Sequence, residues 1–126
     1  MSPPVAAILL VDDDNDQRES LAEVLELEGY RVSQATNGET ALAALRDGVS
    51  PAVIVLDMIM PIMNGWQFCE AQRADPILAK IPVVAISSAV KKDRNSPYFA
   101  AVDEIVPKPI VLGQLLATLR SLVASR

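Results

Sequence analysis

Apolar residues in this chain occur in short unbroken runs that alternate with segments of helical periodicity. The runs at 5–11, 52–56 and 83–86 contain no polar residue, which is typical of strands buried on both faces of a parallel sheet. The run at 30–35 is more polar and predicts a strand nearer to an edge. A brief fifth strand is predicted at 105–106.

The segment after the first run predicts a helix that ends near residue 28. Asn15 or Asp16 can cap its N-terminus, because both side chains accept hydrogen bonds from the first turn. Apolar residues three and four positions apart predict its buried face. That face is expected to contain Leu21, Val24 and Leu25.

Four more helices are predicted, each after a strand, at about 39–46, 66–73, 97–102 and 111–123. Strands that alternate with helices favour right-handed crossover connections and a parallel sheet. The predicted fold class is therefore α/β: a doubly wound five-stranded parallel sheet with helices on both faces.

The length of 126 residues predicts a single domain, 1–126, in which residues 1–4 are a loose lead-in. Half of the chain is apolar, at 51%, but only 4% is aromatic, so the core is expected to be aliphatic. No output domain is expected after the last helix.

Composition excludes several classes of function. The net charge of −5 argues against a nucleic-acid partner, which needs a basic surface. The absence of histidine excludes a histidine-based triad, a histidine zinc site and a phosphohistidine carrier. The lone Cys69 suits a reducing compartment. With no signal peptide and no run long enough to cross a membrane, the chain is expected to be cytoplasmic, with no membrane partner.

Polar side chains stand at the ends of four predicted strands: Asp12 and Asp13, then Asp57, Ser87 and Lys108. A doubly wound sheet brings these ends to one edge. Three carboxylates there repel one another unless their pKa values rise or they hold a cation, and hard oxygen ligands favour Mg²⁺. Together with a lysine and a hydroxyl, they suit transfer of a phosphoryl group to a carboxylate.

In these motifs the chain resembles the response-regulator receiver domains of the CheY-like superfamily, over essentially its whole length. The resemblance implies a flavodoxin-like (βα)5 fold with strand order 2-1-3-4-5. The motifs that carry it are Asp12 and Asp13 in LLVDDD, Asp57 in VIVLDMIMPIMNG, Ser87 in VVAISSA, and Lys108-Pro109.

The resemblance also implies a metal site. Asp13 and Asp57 are expected to bind Mg²⁺ directly, with Mn²⁺ as a substitute, together with the main-chain carbonyl of Ile59. Asp12 is expected to act largely through water.

The implied chemistry is transfer of a phosphoryl group to Asp57 from a phosphohistidine on a histidine kinase or a histidine phosphotransfer protein. Ser87 and Lys108 are expected to bind the phosphoryl oxygens, and the peptide bond before Pro109 is expected to be cis. Phosphorylation would then switch docking to another protein.

The chain departs from the family pattern at positions that affect the response. Ile105 occupies the position of the usual aromatic switch residue, three before the lysine, and cannot swing a ring between two rotamers. Ile59 and Ala89, two residues after Asp57 and Ser87, offer no polar group to orient an attacking water. We therefore predict slow self-dephosphorylation.

The leading hypothesis is a phosphorylatable receiver domain that is a monomer or a weak dimer and is not an enzyme, because no external substrate is turned over. The alternative is a protein-binding module of the same fold that works without phosphorylation. A flavodoxin-like cofactor carrier would need a phosphate-binding loop where Asp12 and Asp13 stand. An aspartate-nucleophile hydrolase would want a second acid at Ile59.

Overall fold

The computed structural model describes residues 6–60, 62–87 and 102–124. Their strands form one parallel sheet in the order β2-β1-β3-β4-β5, which confirms the predicted fold class and strand order. The prediction for residues 1–4, residues 97–101 of the helix predicted at 97–102, and the prediction for Ala89 lie outside the described residues. The strands are β1 (Ala7–Val11), β2 (Arg31–Ala35), β3 (Val53–Asp57), β4 (Val83–Ser87) and β5 (Glu104–Pro107).

Four α-helices connect or follow these strands within the same ranges: α1 (Asn15–Leu27), α2 (Gly38–Arg46), α3 (Gly65–Ala74) and α4 (Leu112–Ala124). Side chains just before three of them accept hydrogen bonds from the first turn, which fixes where each helix begins. Asp14, and not Asn15 or Asp16, caps α1 by accepting from the Gln17 amide at 3.0 Å. Asn37 and Asn64 cap α2 and α3 in the same way.

A short 3₁₀ turn, Leu78–Lys80, was not predicted. The Asp75 carboxylate accepts hydrogen bonds from the amides of Ile77 and Leu78, which starts the turn. The buried Gln72 amide then donates to the carbonyls of Leu78 and Ile81, at 2.8 and 3.0 Å. These side-chain bonds tie the turn to α3 ahead of β4.

The sheet is covered on both faces. Alternate strand residues point to opposite sides, so that Leu9 and Leu56 join one core cluster while Leu10 and Val55 join the other. The first cluster is closed by α2 and α3, and the second by α1 and α4. Among the described helices, none has the length and apolar character needed to cross a membrane.

The buried face of α1 agrees with the prediction in part. Leu25 is buried and Leu21 packs against the core as predicted, whereas Val24 is only half-buried and Arg18 and Ala22 are buried in addition. The small Ala22 lies on the face directed at the sheet, and the larger aliphatic side chains flank it. The helix is thus rotated from the predicted orientation, and this rotation brings Arg18 towards the end of β1.

Candidate functional site

The carboxyl ends of the strands meet at one edge, as the parallel register requires. Val11 of β1 pairs with Leu56 of β3, so Asp12 and Asp57 are the next residues on neighbouring strands. Oxygen atoms of Asp12, Asp13 and Asp57 all lie within 4.8 Å of one another. Asp12 and Asp57 are each only 5% exposed, and Asp13 is open to solvent.

Asp12 is held by hydrogen bonds at three points. Its amide donates to the Ala35 carbonyl of β2 at 3.1 Å, and its Oδ1 accepts from the Asp14 amide at 2.9 Å. Its main-chain carbonyl accepts from Nη1 of Arg18 at 2.9 Å. Burial raises the pKa of the Asp12 carboxyl; the charge of Asp57 adds to the rise, and the Asp14 N–H opposes it.

Both carboxylate oxygens of Asp57 have donors. Oδ1 accepts from the Ile59 amide at 3.0 Å, and Oδ2 lies 3.2 Å from Nζ of Lys108 in an ion pair. The Lys108 amide donates to the carbonyl of Ser87 at 3.2 Å, which ties the end of β5 to the end of β4. Ser87 is buried, at 1% exposure, and the peptide bond between Lys108 and Pro109 is cis.

Two hydrogen bonds anchor the loop from β3 to α3, one from the start of α3 and one from α2. The amide of Gly65 donates to the Met58 carbonyl at 3.0 Å, and the amide of Gly38 donates to the Met63 carbonyl at 3.0 Å. A Cβ at Gly65 would lie 2.5 Å from Sδ of Met58 and 2.7 Å from its Cα, so the close approach requires glycine. Between these anchors, Ile62 adopts a φ of 69°.

The structure therefore brings Asp12, Asp13, Asp57, Ser87 and Lys108 to one edge of the sheet. Ile105 lies elsewhere, in β5, where it is half-buried against the core cluster under α2 and α3. The main chain of Ile59 lies beside Asp57 through its amide, and its side chain is 56% exposed.

Arg18 is a site residue that was missed from the sequence. Its position in the sequence could have indicated that it is buried, because it stands four residues before Ala22 and seven before Leu25, on the same face of α1. A charged residue at a buried helical position is uncommon without a polar partner, and here the partners are at the end of β1 and in β2.

The donor set fits a hard divalent cation. Three carboxylates supply hard oxygen ligands, two of them buried, and Lys108 is paired with only one of them. Mg²⁺ takes such ligands while it keeps several waters, which the exposed side of Asp13 permits.

Comparisons with known proteins agree with this geometry. The family model for the response regulator receiver domain matches residues 8–120. Response regulator MprA from Mycobacterium sp. (strain KMS) is 36% identical over 116 residues, which are 92% of this chain and 50% of the relative. Transcriptional regulatory protein PrrA from Mycobacterium tuberculosis is 35% identical over 119 residues, 94% of this chain and 50% of the relative. The chain thus spans about half the length of these curated relatives.

Solved structures show the same fold. The receiver domain of a signal transduction histidine kinase from Syntrophus aciditrophicus has a TM-score of 0.86 at 28% identity, covering 96% of this chain and 92% of that one. Response regulator TrrA from Thermotoga maritima, solved in complex with Mg²⁺–BeF, has a TM-score of 0.82 at 29% identity, covering 94% and 99%. Sequence, strand order and site agree, and the chain belongs to the response regulator receiver domain family of two-component signalling proteins.

Proposed function

We propose that this chain is a phosphorylation-dependent switch in which Asp57 accepts a phosphoryl group from a phosphohistidine on a histidine kinase or histidine phosphotransfer protein. The observation that carries the proposal is the setting of Asp57. Its buried carboxylate is paired with Lys108 and lies within 4.8 Å of carboxylate oxygens from Asp12 and Asp13.

The reaction requires one bond to form and one to break. An oxygen of Asp57 attacks phosphorus, the bond from phosphorus to the histidine nitrogen breaks, and the imidazole leaves with its electron pair. Lys108 is placed to neutralise charge on the transferred group, and the Ser87 hydroxyl can donate to a phosphoryl oxygen. The products are an acyl phosphate on Asp57 and an unphosphorylated histidine on the donor.

The metal in this proposal is Mg²⁺, with Mn²⁺ as a substitute. Asp13, Asp57 and the main-chain carbonyl of Ile59 would hold it, and Asp12 would act mainly through water. When bound, the ion supplies positive charge that offsets the charge on the phosphoryl oxygens. Oxygen atoms of three acids, drawn from two neighbouring strand ends, support this assignment.

The proposed partners are proteins. The net charge of −5 does not suit nucleic acid, and the segment is proposed to act in the cytoplasm as a monomer or weak dimer. We propose that the chain turns over no external substrate and acts as a signalling module and not as an enzyme. A binding module that works without phosphorylation would have no use for two buried carboxylates beside an open third one, and burial of such charges is unfavourable.

The test is phosphorylation of the purified chain by a small acyl phosphate in the presence of Mg²⁺, followed by intact-mass measurement. We expect the mass increase of one phosphoryl group, lost on treatment with base. Asp57→Ala should abolish the increase, whereas Glu70→Gln, which removes an exposed carboxylate on α3, should leave it unchanged. A phosphoserine at Ser87 with unmodified Asp57 would contradict the proposal.

A further inference from the structure

Arg18 is a buried cation directly behind the acidic site. Arg18 as a whole is 7% exposed. Nη1 donates to the main-chain carbonyl of Asp12 at 2.9 Å, and Nε donates to Oε1 of Gln34 in β2 at 2.9 Å. The planar guanidinium therefore bridges the end of β1 and the neighbouring strand.

The hydrogen-bond partners of this buried arginine carry no charge. In the described ranges, both of its recorded acceptors are neutral oxygens, although three carboxylates lie at the same edge of the sheet. Burial of a guanidinium is unfavourable unless its hydrogen bonds are well made. The charged guanidinium of Arg18 therefore donates to the main-chain carbonyl of Asp12, which belongs to the peptide between Asp12 and Asp13.

That peptide sets the point from which the Asp13 side chain reaches the acidic site. Asp13 is exposed, and within the part of the chain that the structure describes its carboxylate makes no hydrogen bond to protein, so the main chain alone sets the direction in which its Cα–Cβ bond leaves the backbone. The main chain is fixed on both sides: Arg18 holds the carbonyl of Asp12, and Oδ1 of Asp12 holds the amide of Asp14.

We propose that Arg18 is a positioning residue for metal binding, which orients the Asp12–Asp13 peptide and thereby sets the affinity of the acidic site for Mg²⁺. This inference rests on the proposed function of the site. Gln34 acts one step further away, because it fixes the guanidinium through Nε. Partners of this kind, which hold a ligand and do not touch the metal, typically change metal affinity by about 10–100-fold.

The test is a Mg²⁺ titration of the full chain, followed by NMR signals of the amides near Asp13 and Ile59. Arg18→Met, which keeps the length and apolar stem but removes the donors, should raise the Kd for Mg²⁺ about tenfold or more. Arg18→Lys should raise it less, because a single ammonium can reach the Asp12 carbonyl but cannot reproduce the planar fork. Gln34→Met should raise it severalfold.

The matched control is Leu25→Ala, on the same buried face of α1. It should lower the melting temperature but leave the Kd within about twofold, because it removes core packing and no contact to Asp12. A purely structural role of Arg18 predicts the same result for Arg18→Met as for Leu25→Ala. An unchanged Kd in Arg18→Met would therefore overturn the inference and leave the proposed function intact.

Two further outcomes are decisive. If wild type itself shows no Mg²⁺-dependent shifts, the proposed metal site is wrong and the role of Arg18 fails with it. If Arg18→Met does not fold, Arg18→Lys and Gln34→Met decide, and a Kd within twofold of wild type in both variants would overturn the inference.

Discussion

Ile62 adopts a backbone conformation that its side chain disfavours, and its replacement should stabilise the protein. Its φ of 69° lies in the left-handed region, where a non-glycine residue costs about 1–2 kcal/mol and a β-branched residue is an outlier. The side chain is 73% exposed, so its replacement removes little buried surface. Asparagine populates this region far more readily than isoleucine.

We therefore expect Ile62→Asn to raise the free energy of unfolding by about 1 kcal/mol. For a domain of this size, that gain corresponds to a rise in melting temperature of roughly 4 °C. Ile62→Gly should gain less, because glycine increases the conformational entropy of the unfolded chain. Urea denaturation in the absence of metal measures the free energy, and differential scanning calorimetry measures the melting temperature.

Ile77→Asn is the matched control. Ile77 is 78% exposed, but its φ of −76° is ordinary, so the same chemical change relieves no strain there. Its effect should stay within about 0.5 kcal/mol. If Ile62→Asn is no more stable than Ile77→Asn, the conformation of Ile62 carries no measurable cost and the reasoning is refuted.

Three further predictions concern the site and its supports. Gly65→Ala should destabilise the fold by about 1–3 kcal/mol in urea melts, because the new Cβ would meet Met58, whereas Gly113→Ala in α4 has open space and should stabilise it by about 0.5–1 kcal/mol. Burial raises the pKa of Asp12 in the folded state. The stability that this carboxyl contributes is therefore present below its ordinary pKa of 3.8 and is lost as the pH rises through the raised pKa. Asp12→Asn should flatten this decline in stability in melts without metal. Ile59→Asn should shorten the lifetime of the phosphorylated state severalfold at fixed Mg²⁺, because it adds a group that can orient water, and an unchanged decay rate would show that Ile59 does not set it.

Much of the sheet could be predicted because its determinants are local. Unbroken apolar runs marked β1, β3 and β4, and the polar residue that followed each run marked the functional edge. Asp57 is the last residue of β3 and pairs with Ile86 of β4. Ser87 is the last residue of β4 and pairs with Pro107 of β5. The convergence of the three acids then followed from parallel topology alone.

Other features could not be predicted because they depend on packing between elements. The burial of Ala22 and Arg18 on α1 was not predicted, because the rotation of a helix about its axis is decided by the surface it meets. The burial of Arg18 depends on that rotation. The positive φ of Ile62 contradicts residue preference and is set by the anchors on either side of it, the hydrogen bonds to the carbonyls of Met58 and Met63.

The two cations of the site are suited to different tasks by what they contact. Lys108 is 30% exposed and pairs with a carboxylate oxygen of Asp57, the group that phosphorylation would change. A lysine has a flexible stem and rotatable donors, so it can follow new charge on that side chain. Arg18 is buried and pairs with the main-chain carbonyl of Asp12, which no step of the reaction alters. In the proposed function, a rigid fork on a carbonyl that does not react would keep the metal ligands in place, and a flexible ammonium on the reacting carboxylate would accommodate the product. Exchange of the two residue types should therefore impair both tasks.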